Sequence, residues 1–244
     1  MATIDDGIRA LTGPVGDVGG RWMLHPDVLG PCRGAGYPNG YAYYVTGRGG
    51  VLGDVEADVV TAAFGFFAPS LVRTMWEKGV PVEGARAAAA RYGAACAEWG
   101  RSRMHGFQHV DRLAELAARV ATGADAAGLP LFAGWRAEPR PDDPAGRAYF
   151  LVHVLRELRG SVHLLAVLAT GVTPLQAVLA GGGVEQASRF GWVAPFDESR
   201  VDMRPAELLT DRMLASLYAA VLAPDEVRVL SELVLHLQEH LDHS

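Results

Sequence analysis

The segment from Gly146 to Thr170 constrains the fold most. It reads Gly-Arg-Ala-Tyr-Phe-Leu-Val-His-Val-Leu-Arg-Glu-Leu-Arg-Gly-Ser-Val-His-Leu-Leu-Ala-Val-Leu-Ala-Thr, contains no proline and carries apolar residues on every side of a 3.6-residue wheel. A helix apolar all round must be buried all round, so this segment is predicted to be the centre of the fold. It does not read as a membrane span. Its most apolar stretch, Val162 to Ala169, contains His163 and follows Arg156, Glu157 and Arg159, whereas a span needs about 20 mostly apolar residues.

The remaining sequence is predicted to wrap helices around that centre. Period-two alternation is scarce and Gly/Pro-rich breaks separate runs of helical spacing, so the expected class is all-α, a multi-helix bundle with a C-terminal helical pair. Before about residue 52 the pattern is short and broken: a helix opens at Pro26-Asp27, and Asn39 caps a second one through Tyr41, Tyr44 and Val45. Val55–Phe66 and Pro69–Gly79 form a hairpin, and Glu83–Arg103 and Val110–Thr122 are amphipathic. Gly128–Pro144 is expected to be a long loop because of its prolines and glycines. Pro174–Ala180 is a short helix ended by Gly181-Gly182-Gly183, the one hinge-like break, after which Glu207–Leu222 and Pro224–Leu241 make the C-terminal pair. The expected division is a helical main domain over 1–180 with a segment over 184–244 packed on it, or the two fused as a single domain.

Charge and cysteine usage narrow the classes. Lys and Arg number 22 against 28 Asp and Glu, a formal charge of −6, so non-specific attraction to nucleic acid is not favoured. Cys32 and Cys96 stand in no metal or redox spacing, and the first residues show no basic flank before an apolar run. The expectation is a cytoplasmic protein with neither a nucleic-acid nor a membrane partner.

Chemistry concentrates on the central helix. With His153 at zero and about 100° per residue, Arg156, Glu157, Gly160 and His163 fall within roughly one third of the circumference, and Tyr149 and Val167 extend the stripe. Gly160 leaves room beside the backbone, at a cost of about 1 kcal/mol in helix propensity. Charges on so apolar a helix need partners. In the structural account, Glu157 pairs with an arginine and the histidines fill core positions. In the functional account, an arginine holds an anionic group in a pocket while a histidine exchanges protons.

No metal is expected. His153 and Glu157 are spaced i, i+4, but His163 lies about 15 Å further along the axis, too far for one ion. His105 and His109 read as a solvated helix start. The glycine-rich run Gly47-Arg48-Gly49-Gly50-Val51-Leu52-Gly53 lacks the Lys-Ser/Thr ending of a phosphate loop and follows no strand. No Gly-x-Ser-x-Gly elbow occurs either.

Two segments carry a resemblance: Tyr43-Tyr44-Val45-Thr46-Gly47-Arg48-Gly49-Gly50-Val51-Leu52-Gly53 and Leu155-Arg156-Glu157-Leu158-Arg159-Gly160-Ser161-Val162-His163. They resemble the signatures of an actinobacterial, SalK-like family of MarR-like or winged-helix proteins found in natural-product clusters, and Glu207-Leu208-Leu209-Thr210-Asp211 resembles a further signature near that family's end. The family pattern has an acid where this chain has Ser161. It also places a helix-turn-helix and wing between a Gly-Trp pair and the last signature. Here only fourteen residues separate Trp192 from Glu207, fewer than the roughly 20 that a helix plus hairpin occupy. The 184–244 segment therefore reads as a remnant of a winged-helix region.

The resulting expectation is a cofactor-independent enzyme of bacterial specialised metabolism, a cyclase, isomerase or lyase acting by acid–base chemistry on a small, mostly apolar oxygenated substrate. His163, Glu157 and Arg156 would be catalytic, with Arg48, Tyr44, His153, Tyr149 and Gly160 in contact with substrate. The alternatives are a ligand-binding transcriptional regulator of the MarR-like type and a non-catalytic homodimeric scaffold.

Overall fold

The computed structural model describes residues 3–197 and 200–243. Among these residues there is no strand. Twelve α-helices follow one another: α1 (Ile4–Val18), α2 (Pro26–Leu29), α3 (Gly40–Gly49), α4 (Ala57–Phe64), α5 (Pro69–Glu83), α6 (Ala85–Arg103), α7 (Val110–Gly123), α8 (Pro130–Ala137), α9 (Pro144–Ala169), α10 (Pro174–Arg189), α11 (Arg204–Ala219) and α12 (Pro224–Asp242). The all-α bundle around a central helix is what the periodicity predicts.

Helix α9 is that centre. The Asp143 carboxylate accepts from the Gly146 amide and Pro144 fills the first turn, so the start is set by a side-chain cap and a pre-formed φ. Helices α1, α6, α7, α8 and α11 all pack against it. One hydrophobic cluster runs from Ile8 on α1 to Leu241 on α12, and a smaller one gathers Val167, Val172, Ala177 and Ala206 near the α9–α10 turn. No single described helix is long and apolar enough to cross a membrane. Only α9 and α10 taken together pass that test, and they are bent by 115°.

Three segments differ from their sequence-based expectation. Helix α1 forms where Gly7, Gly13, Pro14 and Gly16 suggest broken structure. Thr3 and Asp6 build a capping box, and Ile8, Leu11, Val15 and Val18 lie on one buried face against α12 and α9. Helix α8 occupies half of the expected 128–144 loop, because Pro130 starts a turn that buries Leu131, Phe132 and Trp135. The glycine run at 181–183 breaks α10 as expected, but a second helical stretch follows it. Gly183 turns the chain with φ 65°, ψ −165°, and helical structure resumes to Arg189.

At Gly19, just after α1, an added Cβ would lie 2.6 Å from Arg156 Cβ and 2.9 Å from the Val152 carbonyl. Only glycine lets the end of α1 approach the polar part of α9 so closely. That approach forms one wall of the site.

Candidate ligand-binding site

Helix α9 points its charges at α1, α3 and α11. Glu157 is fully buried and receives Arg48 from α3 in a bidentate pair, with Nε to Oε1 and Nη2 to Oε2 both 2.9 Å. Arg156 adds a third bond, Nη1 to Oε1 at 2.8 Å. Burial alone would raise the carboxyl pKa, but Arg48 and then Arg156 outweigh it and hold the group well below the ordinary carboxylate range. Arg48, despite its own burial, is pushed further up by Glu157. Its remaining Nη1 donates to the Tyr44 hydroxyl at 3.2 Å, and its guanidinium lies 4.5 Å over the Phe64 ring. This cluster is the internal ion-pair network of the structural account, with Arg48 as the principal partner.

The histidines separate. His153 sits edge-on between the Trp22 and Trp135 rings, with Nδ1 3.1 Å from the Gly19 carbonyl. Burial depresses its pKa to about 4 against the opposing pull of Glu157. It is a neutral core group. Tyr149 is equally internal, its hydroxyl donating to Val18 O at 2.6 Å and its ring against Trp99.

His163 is different. The Thr210 hydroxyl donates to the Ala206 carbonyl at 2.8 Å, so at 3.0 Å it accepts from His163 Nδ1–H. That bond fixes the tautomer and leaves Nε2 as an acceptor, 3.8 Å from Glu207 Oε1. The ring stacks on Phe66. Burial first, and the neighbouring Arg159 cation second, lower its pKa to about 4. Desolvation and a fixed cation both favour the neutral imidazole, which makes it a weaker base than an exposed histidine.

A cavity of about 430 Å³ opens on this side of α9. Asp17, Arg48, Arg156, Arg159, Ser161 and His163 are among its polar lining groups, with Gly160 between them, while Phe64, Phe66, Phe67 and Phe190 form much of its apolar wall. The size suits a small organic molecule. A Cβ on Gly160 would meet nothing nearer than Arg156 Nη1 at 3.8 Å, so this glycine does open space beside the helix. Tyr149 and His153 are not among the walls, and Tyr44 faces an adjoining cleft that shares Arg156, Phe67 and Phe190. Among the described residues, no three His, Cys, Asp or Glu side chains gather as a metal site.

Arg159 is the residue the sequence wheel missed. At about −120° from His153 it lies just outside the arc that gathers the other polar groups. Its guanidinium makes no hydrogen bond to any described residue, and its Nε is buried without a partner. The nearest carboxylate oxygen is Glu207 Oε2 at 3.6 Å, and burial lowers its pKa. Glu207 and Thr210 stand on α11, so the last of the three signature segments meets the second at Arg159 and His163, as Arg48 joins the first to it.

A helix-turn-helix family matches residues 9–200. The chain belongs to that family. No curated protein and no solved structure matches. The family match stops short of α11, whose Glu207 and Thr210 complete the site. It also counts against the expectation that nucleic acid is excluded as a partner.

Proposed function

We propose that this protein is a ligand-responsive regulator of the helix-turn-helix family whose effector, a small and mostly apolar oxygenated molecule, occupies the α9 cavity. The observation that carries the ligand is the cavity itself, a concave space with aromatic walls and a few convergent polar groups. The regulatory output rests on the family match. Within the matched residues, α4 and α5 are joined by the four-residue turn Gly65–Ala68, the size of connection found in helix-turn-helix units. Their exposed charges are mixed, Asp58 and Glu77 beside Arg73 and Lys78, so this pair offers no concentrated basic face to the phosphate backbone and binding is expected to be weak except at low salt.

Binding to mixed-sequence and upstream DNA at low salt, with and without a cavity ligand, tests this reading. Expected is retention that the ligand alters. An absence of DNA binding at the lowest salt would remove the regulatory half.

A second reading, the acid–base cyclase, isomerase or lyase, is favoured by one detail: Thr210 anchors His163 Nδ1, leaving Nε2 at the cavity to accept a proton. Its pKa of about 4 makes it a weak base, and Glu157 is locked by two arginines. Deuterium exchange from solvent into a bound 1,3-dicarbonyl compound, lost in His163→Gln, would bring this reading forward.

A further inference from the structure

Resting on the ligand-binding reading above, the structure assigns a chemical class to the occupant: we propose that the cavity takes a mostly apolar carboxylate whose head group supplies Arg159 with the acceptors it lacks. Arg48 gives two bonds to Glu157 and one to Tyr44, and Arg156 gives one to Glu157. Arg159, on the same cavity wall, gives none to any described residue, and one of its nitrogens is buried without an acceptor. Buried donors left unpaired are costly, so the Arg159 Nε is incomplete as it stands, although 26% of the side chain is exposed.

The charge balance agrees. Three arginines line the cavity, whereas its one lining carboxylate, Asp17, is taken by Arg21 and Gln238 and the buried Glu157 by Arg48 and Arg156; Arg156 and Arg159 repel one another on successive turns. Glu207 answers only in part: it is half exposed, stands 3.6 Å from Arg159 and 3.8 Å from His163 Nε2, and bonds to neither. A carboxylate entering from the cavity would meet the planar fork of Arg159 at hydrogen-bond distance. Neutral His163 does not compete for that anion. The four phenylalanines require the rest of the molecule to be apolar. Because Glu207 lies on α11, a ligand that takes over Arg159 weakens one tie between α9 and α11.

The test uses the full chain and matched probes: decanoate, cinnamate and 2-naphthoate against their primary amides, with affinity read by calorimetry. Expected is tighter binding of the acids by at least about tenfold, loss of that preference in Arg159→Met, and several-fold tighter acid binding in Glu207→Gln. The Arg159→Met protein should unfold at the same temperature as the parent or higher, since a half-buried cation with no hydrogen-bonded acceptor has been replaced by an apolar chain of similar length. Amides binding as well as acids would overturn the carboxylate assignment while leaving the ligand reading intact. Binding of neither series would overturn both. A large fall in the thermal midpoint of Arg159→Met would make Arg159 structural and overturn the assignment as well.

Discussion

Replacing Arg48 by methionine should be the most damaging single change at the polar face. Glu157 has no exposure, and Arg48 provides two of its three hydrogen bonds, both 2.9 Å. Removing one partner of a buried pair costs about 3–5 kcal/mol, because the other is left as an uncompensated charge. Arg156 still reaches Oε1 at 2.8 Å, so the lower end applies, about 3 kcal/mol. For a chain of this length that is a fall of roughly 6–12 °C in thermal midpoint.

The pH dependence makes the test specific. In the parent, the Glu157 pKa is depressed, so its stabilisation is fully present above the ordinary carboxyl pKa near 4.5 and is lost only as pH falls through the lower folded value. In Arg48→Met the carboxyl is less well paired and its pKa moves up, so it takes a proton on mild acidification and the penalty shrinks. The stability gap between parent and variant should be widest at pH 7 and narrow toward pH 4, and Arg48→Met/Glu157→Leu should recover much of it. Urea unfolding at both pH values measures the gap. A variant within about 1 kcal/mol of the parent at pH 7, or a gap that widens in acid, would refute the claim that Arg48 chiefly holds Glu157.

Three further outcomes follow from the geometry. The His153 and His163 pKa values of about 4 lie below the ordinary 6.5, so the unfolded chain binds more protons between those values and stability should fall as pH drops through that window; imidazole NMR titrations with midpoints near 6.5 for both would contradict it. Gly160→Ala should raise stability by about 1 kcal/mol, since helix propensity improves and the new Cβ meets only open cavity, whereas Gly160→Phe should abolish ligand binding with little loss of fold, read by calorimetry and circular dichroism. Gly50→Ala should cost at least about 1–3 kcal/mol in thermal or urea unfolding, because its Cβ would stand 2.1 Å from the Ala85 carbonyl, backbone that cannot step aside.

The fold was legible where burial is a property of one segment. Gly146 to Thr170 declares itself central because its apolar residues go all round, and α9 is largely buried as far as Leu158, although Leu165 and Leu168 near its end are exposed. Helices α1 and α8 were not legible, because Gly13, Pro14 and Gly16 in one and the flanking prolines of the other lower local propensity. What restores them is tertiary: Ile8, Leu11 and Val15 on one side, Phe132 and Trp135 on the other, all buried.

The site divides along the same line. An angular wheel can say that His153, Arg156, Glu157, Gly160 and His163 share an arc, but not that Trp22 and Trp135 close over the first while Thr210 and Phe66 hold the last at a cavity. It also cut off Arg159, whose importance comes from a missing acceptor, a fact about neighbours and not about spacing. The signature spacing held more than the wheel did: Arg48 with Glu157, and Glu207 and Thr210 with Arg159 and His163, are contacts between segments far apart in sequence. Those contacts change the chemistry expected of the face. A carboxylate held by two arginines and an imidazole disfavoured as a cation by burial are weak proton carriers at pH 7, whereas a guanidinium with no hydrogen-bonded acceptor is free to meet the carboxylate proposed above. The same residues that suggest catalysis in the sequence are, with their partners in place, the basis of the ligand reading proposed above.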